Sequence, residues 1–159
     1  VRFLYVGRMS KEKGIFEFLE MFNKIKINAE LSIVGNSKNH NILNTKVKQL
    51  GYIADTHLLI DIYDKNNITI LPSYTEATPY VVDESLSRNR PVIIFDDISY
   101  IVRNKIGIFI SKRNEDSFLK VTKYVIDNYL EIQKNMEKNV LPTKKSMIKQ
   151  ISDIIKIEN

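Results

Sequence analysis

The chain has 159 residues, 43% apolar and 27% charged, the profile of one globular domain with a full hydrophobic core. It contains no cysteine, which excludes a disulfide framework and a thiolate metal site, and it has no apolar run long enough to span a bilayer. The net charge of +5 arises from 24 basic residues dispersed among 19 acidic ones, without an arginine block, an aromatic RNA-binding motif or zinc-finger spacing, so nucleic acid is not an expected partner.

The chain opens directly on a strand-like run, "VRFLYVG", with no methionine, which points to a fragment of a longer protein. Arg2–Val6 forms a strand around the apolar "FLYV". A polar loop, residues 7–13, and Gly14 lead into "IFEFLEMFNKI", where Ile15, Phe18, Leu19 and Phe22 recur at helical spacing. "AELSIVG" reads as a second strand ending at Gly35, "NSKNHNILNT" as an irregular loop and "VKQLGYI" as a short third strand. "THLLIDIYDK" is a helix capped by Asp55 or Thr56, and "NITILPS" a fourth strand stopped by Pro72. "PYVVDESLSR" is a helix, "RPVIIFD" a fifth strand and "IGIFI" a short sixth. From Glu115 onward the pattern is helical, with a break near "NVLPT". Thr143 is placed to cap a last helix carrying Met147, Ile151, Ile154 and Ile155 on one side, a stripe read as core packing.

Short apolar strands alternating with helices predict an α/β domain over residues 1–159. It is a Rossmann-like, doubly wound parallel sheet of about six strands with a helical C-terminal tail. Runs such as "ITIL" and "VIIF" suit strands buried on both faces. Ligands of such sheets bind beyond the carboxyl ends of the strands, so the loops to inspect follow Val6, Val34, Tyr52, Leu71 and Phe95.

The first of these loops, "GRMSKEKG", is neither a G-x-G-x-x-G turn nor a Walker A loop. It places Arg8 and Lys13 ahead of a helix start, which suits a diphosphate: arginine as a fork, lysine as a point charge, backbone N–H groups beside them. Solvated surface cations are the plain alternative. The fourth loop reads "EATPYVVDE". Thr78 is expected to cap a helix whose first residue is Pro79, leaving the N–H groups of Tyr80 and Val81 free for an anion. Glu76 precedes that helix and Glu84 lies inside it, so the two carboxylates reach different parts of one elongated ligand; an ionised carboxylate accepts from both hydroxyls of a vicinal diol. Ten glutamates give roughly 0.6 pairs at this spacing by chance, and Glu12 with Glu20 is such a pair, so context rather than spacing singles out Glu76 and Glu84. His40 and His57 are isolated, there is no D-x-D motif, and the adjacent Asp96 and Asp97 read as loop acids near the cleft; no metal is implied.

The segments "FLYVGRMSKEKG", "LSIVG", "VKQLGYI", "LLIDIYDKNNITILPSYTEATPYVVDESL" and "RPVIIFDD" occur in an order that resembles the nucleotide-sugar-binding half of GT-B glycosyltransferases, most of all the retaining family 4. The resemblance covers residues 2–112. It implies that Arg8 and Lys13 contact the donor diphosphate, that Glu76, first acid of E-x7-E, holds hydroxyls of the sugar, and that Glu84 binds the ribose. It further implies that backbone N–H groups from Ala77 to Val81 (Ala77, Thr78, Tyr80, Val81, around Pro79) meet sugar and phosphate, that the backbone of Gly51, Tyr52 and Ile53 borders the base, and that Gly7 and Gly35 open the cleft. Arg8, Lys13 and Glu76 are the residues it marks as catalytic.

The sequence departs from the family pattern at Asn36 and Ser37, at Ser85 and at Asn89-Arg90, although Asn89 can take the left-handed conformation at a helix end. The implied reaction is sugar transfer from a nucleoside diphosphate sugar, UDP-linked by preference, to a lipid-linked or polysaccharide acceptor, without a cofactor or metal. The implied setting is cytoplasmic, or peripheral at the inner face of the cytoplasmic membrane, with an N-terminal acceptor domain as the missing partner. A GT-B sugar-nucleotide epimerase and a non-catalytic α/β regulatory module are the alternatives.

Overall fold

The computed structural model describes residues 1–36, 44–143, 145, 146, 148, 149, 152 and 153. Six strands, β1 (Arg2–Val6), β2 (Glu30–Val34), β3 (Val47–Gly51), β4 (Ile68–Leu71), β5 (Val92–Phe95) and β6 (Ile108–Ser111), form one parallel sheet in the order β3-β2-β1-β4-β5-β6. Strand order reverses between β1 and β4. At such a switch point neighbouring loops leave the sheet toward opposite faces and open a crevice.

Helices cover both faces, as the sequence predicts. Successive strand residues point to opposite sides, and Phe3 and Leu4 of β1 show it. Phe3 belongs to the larger core, where Phe18 and Phe22 of helix α1 (Ile15–Lys24) and Phe118 of α4 (Glu115–Asp127) join Phe95 in edge and tilted ring contacts. Leu4 packs with Val34 against Ile62 and Tyr63 of α2 (Thr56–Lys65). Beside α2 runs α3 (Tyr80–Ser87), tied to it by Arg88, whose guanidinium donates twice to Asp64. All residues of β4 and β5 are buried, the outcome expected of "ITIL" and "VIIF".

Local signals mostly hold. Asp55 caps α2, accepting from the amides of His57 and Leu58 at 2.8 and 3.0 Å, and His57 is exposed. Asn89 adopts φ 52°, the left-handed value anticipated there. Thr143 accepts from the Ser146 amide at 3.1 Å, as a cap does. The stripe Met147, Ile151, Ile154 and Ile155 lies outside the described residues, as do Ser37 and His40.

Three expectations change. The C-terminal helical stretch breaks at Asn128, which separates α4 from α5 (Tyr129–Met136) and donates its side-chain amide to the Tyr124 carbonyl. Asp96 and Asp97 open a kinked 3-10 segment, Asp96–Ile101, rather than a plain loop. Thr78 does not cap α3. Proline fixes φ but not ψ; at Pro79 ψ is 94°, so the residue stays extended, serves as N-cap itself without a side-chain bond, and delays the helix to Tyr80.

Candidate functional site

The loops after β1 and β2 meet at two glycines. The Gly7 amide donates to the Val34 carbonyl and the Gly35 amide to the Gly51 carbonyl, both at 2.9 Å. Gly35 has φ 148°, and a Cβ there would stand 1.9 Å from the Gly7 carbonyl oxygen, so only glycine permits this approach. The result is a cleft of about 340 Å³ over the strand ends, lined by Gly7, Arg8, Gly35, Tyr52, Ile53 and Glu84 among others. A second cleft of about 220 Å³ adjoins it, sharing Val6 and Gly7, and is lined by Lys13, Glu76, Thr78, Pro79, Tyr80 and Val81 over Tyr5 and Leu71. Of the residues expected to bind the donor, all line one of the two except Gly51 and Ala77, the latter edging a small recess of about 50 Å³ with Thr78 and Pro79; Asp96 and Asp97 line neither cleft.

The two cations are thereby placed on either side of Gly7. Arg8 is 77% exposed and meets Glu12 only at 3.8 Å, a surface contact worth little. Lys13 is held instead: its Nζ lies 2.6 Å from Glu76 Oε1, and the side chains are 22% and 7% exposed. The Ser73 hydroxyl donates to that same oxygen at 2.6 Å. The helix start that faces the clefts belongs to α3, not to the helix that follows Lys13; Gly14 and Ile15 line neither cleft. At α3 the amides of Tyr80 and Val81 come before the first amide that makes a helical bond, that of Val82, which donates to the Pro79 carbonyl. These two N–H groups suit an anion in the second cleft.

Five residues that sequence reasoning missed hold this arrangement. Tyr5, fully buried under the second cleft, donates its hydroxyl to the Arg8 carbonyl at 2.6 Å. Burial above all, then the charge of Glu76, pushes its pKa far above the usual phenol value, which keeps it a donor. Tyr63 donates to Glu84 Oε2 at 2.8 Å. Tyr100 grips the Glu76 backbone, accepting from its amide at 2.9 Å and donating to its carbonyl at 2.7 Å. Ser73 holds Glu76 Oε1 from within the same loop. Arg113 follows β6, the one strand end left out of the sequence inspection. Its guanidinium donates to the carbonyls of Pro72 (2.9 Å) and Ser73 (3.2 Å) and to Asp97 (2.7 Å), and it lies 3.9 Å from the Tyr74 ring centre and 4.4 Å from that of Phe95. The signal for it was "KRN": cations beside an Asn cap at a strand's carboxyl end. For Tyr63 and Tyr100 no local signal exists, because each acts across the fold, on residues 21 and 24 positions away.

A cleft larger than either, about 540 Å³, lies elsewhere, between α1 and the start of α4, and contains none of the predicted residues. Of its cations, Arg113 is paired with Asp97 at 2.7 Å, and Lys24 meets Glu115 only in an exposed contact at 3.8 Å. Size therefore does not select the site. The convergence of glycine turns, open amides and two separated carboxylates at the switch point does.

Residues 1–141 match the family described as Glycosyl transferases group 1. The chain belongs to that family. Among individual proteins, this group 1 domain is 33% identical over 93 residues to TuaC of Bacillus subtilis (strain 168), which carries the provisional name teichuronic acid biosynthesis glycosyltransferase. The match takes in 58% of the chain and 24% of TuaC. Solved structures share its fold at lower identity. Sucrose-phosphate synthase from Thermosynechococcus elongatus superposes with a TM-score of 0.78 at 18% identity, over 98% of this chain and 44% of that one. HepE of Anabaena, solved with UDP and glucose, gives 0.68 at 16%, over 85% and 42%. The lipopolysaccharide outer core galactosyltransferase WaaB gives 0.74 at 18%, over 100% and 50%. The group 1 domain thus spans a quarter of the curated relative and no more than half of these solved chains. Among its described residues, no helix is long and apolar enough to cross a membrane.

Proposed function

We propose that this group 1 domain is the C-terminal, donor-binding half of a retaining, family 4-type glycosyltransferase, and that it holds a nucleoside diphosphate sugar, UDP-linked by preference. The observation that carries the reading is the pair of adjoining clefts joined at Gly7, with Glu84 in one and the Lys13–Glu76 couple in the other. An elongated ligand laid across Gly7 would put its base against Tyr52 and Ile53 and its ribose at Glu84. Its diphosphate would lie between Arg8, Lys13 and the amides of Tyr80 and Val81, and its sugar hydroxyls at Glu76. Binding of UDP by the fold neighbour HepE supports the choice of base.

In the reaction, the bond from the anomeric carbon to the diphosphate oxygen breaks and its electron pair leaves with the diphosphate. The acceptor hydroxyl bonds to that carbon and passes its proton to the departing diphosphate. Negative charge grows on the leaving oxygen, where Lys13, Arg8 and the first turn of α3 stabilise it electrostatically. Glu76 Oε1 holds Lys13, while Oε2 has no partner among the described residues and can accept from a sugar hydroxyl, so the same carboxylate orients both sugar and cation. The acceptor, a lipid-linked or polysaccharide glycan in keeping with the names of TuaC and WaaB, would be bound largely by the N-terminal domain, at the inner face of the cytoplasmic membrane. The chain alone is therefore expected to bind donor and transfer nothing.

Titration of the 15N-labelled chain with UDP, GDP, ADP and UDP-glucose tests this. UDP is expected to move the amides of Gly7, Tyr52, Ile53, Tyr80 and Val81. A folded sample whose spectrum none of the four nucleotides changes refutes the donor-site reading.

A further inference from the structure

Glu84 stands on the exposed side of α3 and reaches into the first cleft, yet one of its oxygens is already engaged from beneath. Tyr63, on α2, is 2% exposed, its ring packed with Leu4, Val34 and Ile62. Its hydroxyl emerges from that apolar cluster to donate to Glu84 Oε2 at 2.8 Å. Oε1 has no partner among the described residues. The bond is not needed to hold α2 against α3, because Arg88 already bridges to the Asp64 side chain and Arg90 to the Asp64 carbonyl. What it does is fix a carboxylate that would otherwise turn through several rotamers on a solvated helix face.

We propose that Tyr63 is a positioning residue for ribose recognition, holding Glu84 Oε2 so that the carboxylate meets a ribose 2′-hydroxyl and the site selects ribonucleotides over 2′-deoxyribonucleotides. The inference rests on the reading of Glu84 as the ribose-binding acid. Burial, and then the charge of Glu84, hold the Tyr63 phenol well above its usual pKa, so the donor persists across the physiological range. The carboxylate still accepts further bonds while Tyr63 occupies one site, because an ionised carboxylate has about four lone-pair positions. A phenylalanine at 63 would keep the packing and lose only the anchor.

The test compares UDP with 2′-deoxy-UDP by calorimetric titration of the wild-type chain and of Tyr63→Phe. Loss of a hydrogen bond to a charged group predicts that the wild type prefers UDP by about tenfold or more. Tyr63→Phe is expected to keep its urea midpoint and to prefer UDP by only about threefold, through weaker UDP binding with 2′-deoxy-UDP nearly unchanged. An undiminished preference in Tyr63→Phe overturns the inference and leaves the Glu84 reading standing. A wild type that binds both equally overturns the Glu84 reading, and this inference with it. Independently of any variant, the buried Tyr63 hydroxyl proton should shift in the NMR spectrum when UDP binds but not when inorganic phosphate is added; no shift on saturation with UDP also overturns the inference.

Discussion

Replacing Arg113 by alanine should loosen the loop that carries Glu76 and destabilise the whole domain. The Arg113 side chain is 21% exposed, so its contacts are only partly screened. Its bonds to the Pro72 and Ser73 carbonyls, at 2.9 and 3.2 Å, are its contacts with the β4 loop backbone. Each is worth about 1 kcal/mol net. The pair with Asp97, whose side chain is 32% exposed, adds about 0.5–1 kcal/mol after screening. Stacking between Tyr74 and Phe95 adds about 0.5–1 kcal/mol per ring. These contributions share one side chain and are not additive, which places Arg113→Ala at about 3 kcal/mol. Arg113→Lys keeps the charge but loses the planar fork, and should cost about half as much. Urea unfolding reads the effect as a lower midpoint at unchanged slope. In the same samples the amides of Ser73, Tyr74 and Glu76 should shift, and affinity should fall more for UDP-glucose than for UDP. A change under about 0.5 kcal/mol for Arg113→Ala would show that the guanidinium does not hold this loop.

The Lys13–Glu76 couple makes an opposite-signed pair of predictions. Lys13→Met should weaken UDP binding about tenfold and flatten its dependence on salt, whereas Glu76→Gln, by freeing Lys13, should bind UDP at least as well and lose the extra affinity for UDP-glucose; parallel losses in both variants would refute the division of roles. Gly35→Ala and Gly51→Ala both strain a positive φ, but the first meets the Gly7 carbonyl oxygen at 1.9 Å and the second meets nothing within 4 Å. Thermal melting should show a cost of about 1–2 kcal/mol for Gly51→Ala and clearly more for Gly35→Ala. The hydrogen bond from Arg88, foremost, holds the Asp64 carboxyl below its usual pKa, against a smaller opposing effect of burial. Its stabilisation is therefore complete above about pH 4 and is lost as pH falls through the lower folded value. Asp64→Asn should lower stability at neutral pH, with the gap to wild type closing in acid; a gap that widens in acid would contradict the assignment.

Much of this site was legible before the structure. Gly7 and Gly35 sit at predicted strand ends, and the two carboxylates flank a predicted helix start, so local pattern alone brought them to one edge of the sheet. The pattern could not say that Pro79 would stay extended, since ψ at a proline is decided by what surrounds it. Nor could it say which helix would face the ligand: Lys13 precedes one helix in sequence, but the clefts open toward another. What Tyr63, Tyr100 and Arg113 contact was invisible for a different reason. Each acts on a residue 16 or more positions away, through a bond that exists only once two loops or helices are packed.

The alternation of short apolar runs with helical periodicity determined the fold class, because period and burial are properties of single segments. Those runs also located the glycines and carboxylates at strand ends. The tertiary structure alone decided how Glu76 and Glu84 are held. Burial of Tyr63 aims one carboxylate from below, while the other is fixed by Ser73 of its own loop, by Lys13 ahead of α1 and by Tyr100 in the 3-10 segment after β5. Apart from the Ser73 bond, made three residues away, such directions are set by packing between elements distant in sequence, and no local pattern encodes them.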